Sequence, residues 1–259
     1  MTTFNWNDVL QLPGSALAGD RRIPKTVLTR QALLTKTEQK ILDKTRKLTH
    51  FATIQKSTTR IPPHVDESYD IQSILILHCE MAESTAYSEV ARLLHKCFPN
   101  PTVILIDGSK EACISVATTR KSLAEKGAIV VEVVESTGGF YLADKAYKPF
   151  LNSLAFSQLS QQDLLAYLND LTWNVRLSHG IPAVGFYPQC PEQYRDSLSN
   201  LLNSFGSLET KINNIVQKRR TDKSLTLNES AYLRIELKQL EKERDVVSRE
   251  IREICNDRD

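Results

Sequence analysis

Two consecutive heptad patterns fill the last quarter of the chain and restrict its fold more than any other feature. From Leu198, apolar residues recur at Leu201, Phe205, Leu208, Ile212 and Ile215, in steps of three and four, and Arg219 falls on the same seam. After a polar stretch the pattern restarts at Leu233 and runs through Leu237, Leu240, Val247, Ile251 and Ile254, with Arg244 in one seam position. This spacing puts one apolar stripe on each of two helices and suits their packing along one another. A first helix of about 21 residues spans roughly 30 Å, and a second over 228–255 spans roughly 40 Å. A connector of about nine residues makes an antiparallel return the natural closure. Asn228, Glu229 or Ser230 is placed to cap the second helix. Two helices cover only one side of each other, so the remainder must rest on the body, on a second copy or on a partner helix. Arginines buried without partners are costly, so Arg219 and Arg244 mark wet stretches of the seam or points where another chain enters.

Upstream, the periodicity changes. Residues 71–79 place Ile71, Ser73, Leu75, Leu77 and Cys79 on one side and Ile74, Ile76 and His78 on the other, which predicts a central strand covered on both faces. Helical spacing over 85–98 follows, then strands over 102–107, 112–118 and 128–135, with Gly108-Ser109 as a hairpin turn. The front reads as a loop between Leu12-Pro13 and Ile23-Pro24, a short helix from Pro24, a helix over 33–47 and a first strand over 49–56. A helix over 160–177 and a proline-rich connector over 180–191 complete the body. The expectation is an α/β domain over 1–189, with a mixed or antiparallel sheet and packed helices, and a coiled-coil-like hairpin over 190–259. A doubly wound nucleotide fold is disfavoured, because most strands lack an intervening helix.

Charge is segregated. Residues 1–60 carry 11 Lys or Arg against 4 acids, whereas 61–189 carry 9 against 14. Arg21, Arg22 and Lys25 surround Ile23-Pro24, and Lys36, Lys40, Lys44 and Lys47 form a basic stripe on the expected 33–47 helix. Such a stripe suits phosphates, an acidic partner or plain solvent; no aromatic platform accompanies it for base stacking. Lys218-Arg219-Arg220 gives the hairpin a basic tip.

No catalytic constellation, cofactor motif or metal site emerges. Gly138-Gly139 lacks the spacing of a phosphate loop and reads as a turn. His78 and Cys79 are adjacent on a strand and point to opposite faces, poor geometry for one zinc ion, though spacing leaves open a site assembled with Cys97 or His95. A metal-dependent nuclease would draw on Asp70, Glu80, Glu83, Asp107 and Lys110, of which Glu80 and Asp107 end neighbouring strands. The five scattered cysteines read as buried thiols of a reducing compartment. The absence of a signal-peptide pattern and of a long apolar run sets the expectation of a cytoplasmic protein with no membrane contact.

One resemblance joins these parts. Leu12-Pro13 and Arg22-Ile23-Pro24-Lys25 form its front. The strands at 71–79 and 102–106, separated by a helix and Phe98-Pro99, form its middle. Leu227-Asn228-Glu229 leading into Leu233, Glu236-Leu237-Lys238 and Leu240 closes it. In these segments the chain resembles a bacterial and archaeal family known as domain of unknown function 4391. The resemblance implies an α/β domain with a paired-helix tail over nearly the whole chain, and no transferable activity. It also implies a setting beside helicase and DNA-methyltransferase genes in restriction-like or phage-defence clusters. The resulting expectation is a non-catalytic accessory subunit of a multi-protein, DNA-processing or antiviral assembly, with itself or a helicase- or methyltransferase-type complex as partner. The alternatives are a divergent metal-dependent nuclease and a DNA-binding module that uses the basic front.

Overall fold

A computed structural model describes residues 4–82, 86–125 and 128–256. Its contacts divide the chain into two units, 1–176 and 177–259.

In the first unit the strands are β1 (Leu17–Arg22), β2 (Thr45–Gln55), β3 (His64–Val65), β4 (Asp70–Ile71), β5 (Ser73–Met81), β6 (Thr102–Asp107), β7 (Glu111–Lys121), β8 (Ile129–Ser136) and β9 (Phe140–Tyr141). The helices are α1 (Trp6–Leu10), α2 (Lys25–Gln31), α3 (Lys36–Asp43), α4 (Lys56–Thr59), α5 (Tyr87–Cys97), α6 (Lys148–Ser153) and α7 (Leu164–Ser178), the last passing the unit boundary by two residues. The main sheet has the order β1-β2-β5-β6-β7-β8, with β9 also paired to β7, and β3 and β4 form a separate ribbon. Every neighbouring pair is antiparallel except β5 with β6. The sheet is therefore mixed, and α5 is the crossover that a parallel pair requires.

β5 is central, as its two apolar faces predict. Leu77, Cys79 and Met81 enter a core formed with Leu42 of α3 and Val90, Ala91 and Leu94 of α5. Ile74 and Ile76, which point the other way, are equally buried. α5 presents Val90, Leu93 and Leu94 at helical spacing to that core. Gly108 closes the β6–β7 turn by donating its N–H to the Glu111 carbonyl at 2.8 Å.

Two expectations at the front are corrected. The segment expected as a loop contains strand β1, which pairs Arg21 with His50 and Arg22 with Thr49. It is an almost fully exposed edge strand, and its register breaks where Gly19 and Asp20 take φ of +66° and +51°. No alternation of apolar residues could reveal it. The expected 33–47 helix is helical only over Lys36–Asp43, opened by a Thr35–Glu38 capping box, and Thr45 already belongs to β2. Lys44 consequently only caps α3 and Lys47 lies on a strand, so Lys36 and Lys40 alone of the lysine stripe remain on the helix.

The second unit contains α8 (Ile181–Val184), α9 (Arg195–Thr221) and α10 (Leu227–Asn256). The connector expected over 180–191 thus holds a short helix with Pro182 in its first turn. Among the described residues, no helix of either unit is long and apolar enough to cross a membrane.

Candidate functional site: the two-helix hairpin

The heptad seams fold as an antiparallel hairpin, longer than their apolar positions mark. α9 has 27 residues and α10 has 30, so α10 extends roughly 45 Å. α9 buries Leu198, Leu202, Phe205, Leu208, Ile212 and Ile215. Leu202 takes the place expected for Leu201, which is only partly covered, because 198, 202 and 205 keep the tighter stripe of a straight helix. Along α10, Leu233, Leu237, Leu240, Arg244 and Val247 are half-buried, and Ile251 and Cys255 are fully buried.

The loop between the helices is residues 222–226. Thr226, not Asn228, Glu229 or Ser230, opens α10. Its backbone N–H and hydroxyl donate to Glu229 Oε2 at 2.8 and 2.7 Å, and its Oγ1 accepts from the Glu229 N–H at 3.3 Å. The T-x-x-E signature of a capping box was present in the sequence.

The two seam arginines have different fates. Arg244 crosses to α9, donating from Nη1 to Glu209 Oε1 at 3.2 Å, and from Nη2 to Asp245 Oδ1 at 3.0 Å. It is paired within its own chain, so its presence on the seam needs no second chain. The buried Nε of Arg219 has no acceptor among the described residues. A charged donor left in this state costs free energy that an incoming acceptor would recover.

The outer surface of α10 is not uniformly polar. Tyr232, Ile235 and Val246 are 73%, 66% and 41% exposed. Spacings of 3 and 11 residues place them on one helical face, which α9 leaves uncovered. Nothing in the heptad pattern marks this face, because the exposed residues lie off the seam.

The basic front divides into engaged and free groups. Lys25 donates to the Thr45 carbonyl, Lys44 pairs with Glu89 at 3.1 Å, and Lys47 lies 3.6 Å from Glu80. Arg21, Arg22, Lys36 and Lys40 are exposed and unpaired among the described residues.

The carboxylates considered for a nuclease are also committed. Glu80 and Asp107 are register partners on β5 and β6. Glu80 accepts from Arg46, another member of the basic front. Asp107 accepts from Trp6 Nε1 on one oxygen and bonds His78 Nε2 with the other, both at 2.8 Å. Asp70 bonds Gln72, Lys110 is exposed, and Glu83 lies outside the described residues. No group of three His, Cys, Asp or Glu side chains able to hold a metal occurs among the described residues. Of the zinc candidates, His95 bonds Ser115 Oγ at 2.9 Å in the core, and Cys79 packs in the α3–α5 core. Burial pushes the Cys79 thiol up to about 12 and those of Cys97 and Cys255 up to about 11, so none is a ready thiolate.

A mixed α/β unit followed by a long antiparallel hairpin defines a protein whose distinctive surface is helical. The chain belongs to the family described as domain of unknown function (DUF4391), whose model matches residues 10–243 and so takes in most of both units. No curated protein and no solved structure matches it.

Proposed function

We propose that this chain is a non-catalytic accessory subunit that joins a larger assembly through the uncovered face of α10. The observation that carries the proposal is the apolar face of Tyr232, Ile235 and Val246 on a long, otherwise charged helix. Tyr232 and Ile235 are one turn apart, and adjacent large apolar side chains left exposed mark interaction surfaces; Val246 lies about three turns further along the same face. The orphaned Arg219 Nε on α9 supports the same reading. The family resemblance supports an assembly that processes DNA, in a restriction-like or phage-defence setting, with helicase- or methyltransferase-type partners.

The test is co-expression with the products of neighbouring helicase and methyltransferase genes, followed by chromatography with light scattering. The full chain is expected to co-elute with a partner in fixed ratio. Each of Tyr232 and Ile235 would contribute roughly 1.5–3 kcal/mol on burial. The double variant Tyr232→Glu/Ile235→Glu is therefore expected to weaken association by about 100-fold or more. Its own stability should change by less than about 0.5 kcal/mol, because both side chains are solvent-facing. A chain that stays alone with every such product, or a variant that associates unchanged, would overturn the proposal.

The front of the first unit supports a second reading, direct contact with DNA, because Arg21, Arg22, Lys36 and Lys40 remain exposed and unpaired. In fluorescence anisotropy with a DNA duplex, Lys36→Glu/Lys40→Glu is expected to lower affinity and to flatten the slope of log K against log salt by about 2. Unchanged affinity and slope would remove this surface from consideration.

A further inference from the structure

The base of the hairpin holds a cleft of about 320 Å³ that the apolar face of α10 does not include. Its polar wall comes from Glu209 of α9 and from Arg244, Asp245, Ser248, Arg249 and Arg252 of α10; Phe205 and the first turn of α8 supply an apolar wall. Both carboxylates are held by Arg244, which bonds Glu209 and Asp245 together. That triad carries one net negative charge. Arg249 and Arg252 add two positive charges, so the cleft is net cationic.

The two outer guanidiniums are only partly used. Arg249 donates from Nε to the Asp245 carbonyl at 3.4 Å, and Arg252 from Nη2 to the Val184 carbonyl at 3.2 Å. These bonds orient both forks and leave the terminal nitrogens of Arg249, and Nε and Nη1 of Arg252, without acceptors among the described residues. The Ser248 hydroxyl also makes no hydrogen bond there. Residues 248, 249 and 252 lie within about one helical turn, so their donors are stepped over roughly 6 Å.

We propose that this cleft binds the phosphoryl group of an organic phosphate. A carboxylate presents two coplanar oxygens and satisfies one guanidinium fork, whereas a tetrahedral phosphoryl group presents oxygens in several directions. Two guanidiniums and a hydroxyl at different heights along one side of α10 line this cleft, an arrangement that suits oxygens presented in several directions better than one coplanar pair. The cleft is larger than inorganic phosphate requires, and the Phe205 side gives the remaining space an apolar surface. A phosphate attached to an organic body uses both walls. A free nucleotide and the 5′ end of a nucleic-acid strand share this chemistry.

Isothermal titration calorimetry of the full chain with pyrophosphate, AMP, glutamate, and a short oligonucleotide with or without a 5′-phosphate tests the proposal. Saturable binding of AMP or of the 5′-phosphorylated strand is expected, and which of the two binds identifies the source. Arg249→Ala and Arg252→Ala are each expected to weaken that binding by about tenfold or more. Both side chains are exposed, so the fold should persist, and Arg249→Lys provides a milder variant with the charge but not the fork. The proposal is overturned by no binding up to roughly 10 mM, by glutamate binding as well as AMP, by equal binding of the 5′-hydroxyl strand to a chain that also carries Lys36→Glu/Lys40→Glu, or by unchanged affinity in the arginine variants. Tyr232→Glu/Ile235→Glu should bind the phosphate normally, which separates this result from the association test.

Discussion

Trp6→Ala is expected to destabilise the protein by about 3–5 kcal/mol, read as a lower urea midpoint at unchanged slope. Trp6 belongs to a helix of five residues, too short to persist by itself, yet it is only 1% exposed. Two forces hold it. The indole fills a core position, and its Nε1 donates to Asp107 Oδ1 at 2.8 Å, at the end of β6 and 101 residues away in sequence. The variant therefore leaves a cavity and removes a donor from a poorly exposed carboxylate whose other oxygen bonds His78. Trp6→Phe separates the two contributions. It keeps most of the apolar surface and loses the hydrogen bond, which for a charged acceptor is worth about 1.5–3 kcal/mol. A loss below about 1 kcal/mol for Trp6→Ala would show that α1 is dispensable to the sheet.

The second large effect is a pH dependence carried by His95. Its side chain is 1% exposed on the core face of α5, and burial alone pulls its pKa from 6.5 down to about 3. Between those values the unfolded chain binds a proton that the folded chain does not. Stability therefore rises with pH in this window and is lost as pH falls below 6.5. The loss from this one residue is about 2 kcal/mol by pH ~5, and on the order of 4 kcal/mol near pH ~3.5.

His64 acts in the opposite sense. Hydrogen bonds to Asp66 and then Asp163 raise its pKa, so its contribution is full below 6.5 and disappears as pH rises through the folded value. The comparison that isolates His95 is the difference between the wild type and His95→Gln, which retains a polar group for Ser115. Urea unfolding at pH ~6.5 and ~5 is expected to show a smaller acid loss in the variant, by about 2 kcal/mol. Equal losses in both proteins would mean that His95 is solvated or protonated in the folded state.

The hairpin was legible because a seam repeats. Phe205, Leu208, Ile212 and Ile215 occupy the positions their spacing assigns, and each error nearby is local. Leu202 replaces Leu201, and the cap moves to Thr226. β5 and β6 were legible because they are apolar on both faces. β1 was not, because an edge strand with exposed side chains and a bulge at Gly19-Asp20 carries no period of two. The early end of α3 was hidden for a different reason: Lys44, Arg46 and Lys47 continue a helical charge pattern and favour helix locally, but pairing with β5 from Thr45 onward overrides that preference.

Of the candidate site, the sequence located the helices but not which of their surfaces stay exposed. It marked Arg219 and Arg244 by their cost on an apolar seam. It could not show that Arg244 meets Glu209, which is separated by 35 residues and a chain reversal. Nor could it show that Tyr232, Ile235 and Val246 remain uncovered, since exposure depends on where α9 lies.

By itself, then, the sequence determined which segments are helices and strands wherever an apolar face repeats, because local periodicity is written in neighbouring residues. Only the tertiary structure decided the strand order, the commitment of Glu80 and Asp107 to donors from β2, α1 and β5, and the arginines that meet around one cleft. Those depend on contacts between residues far apart in the chain, where the charge and hydrogen-bonding capacity of each group are fixed by what folding brings beside it.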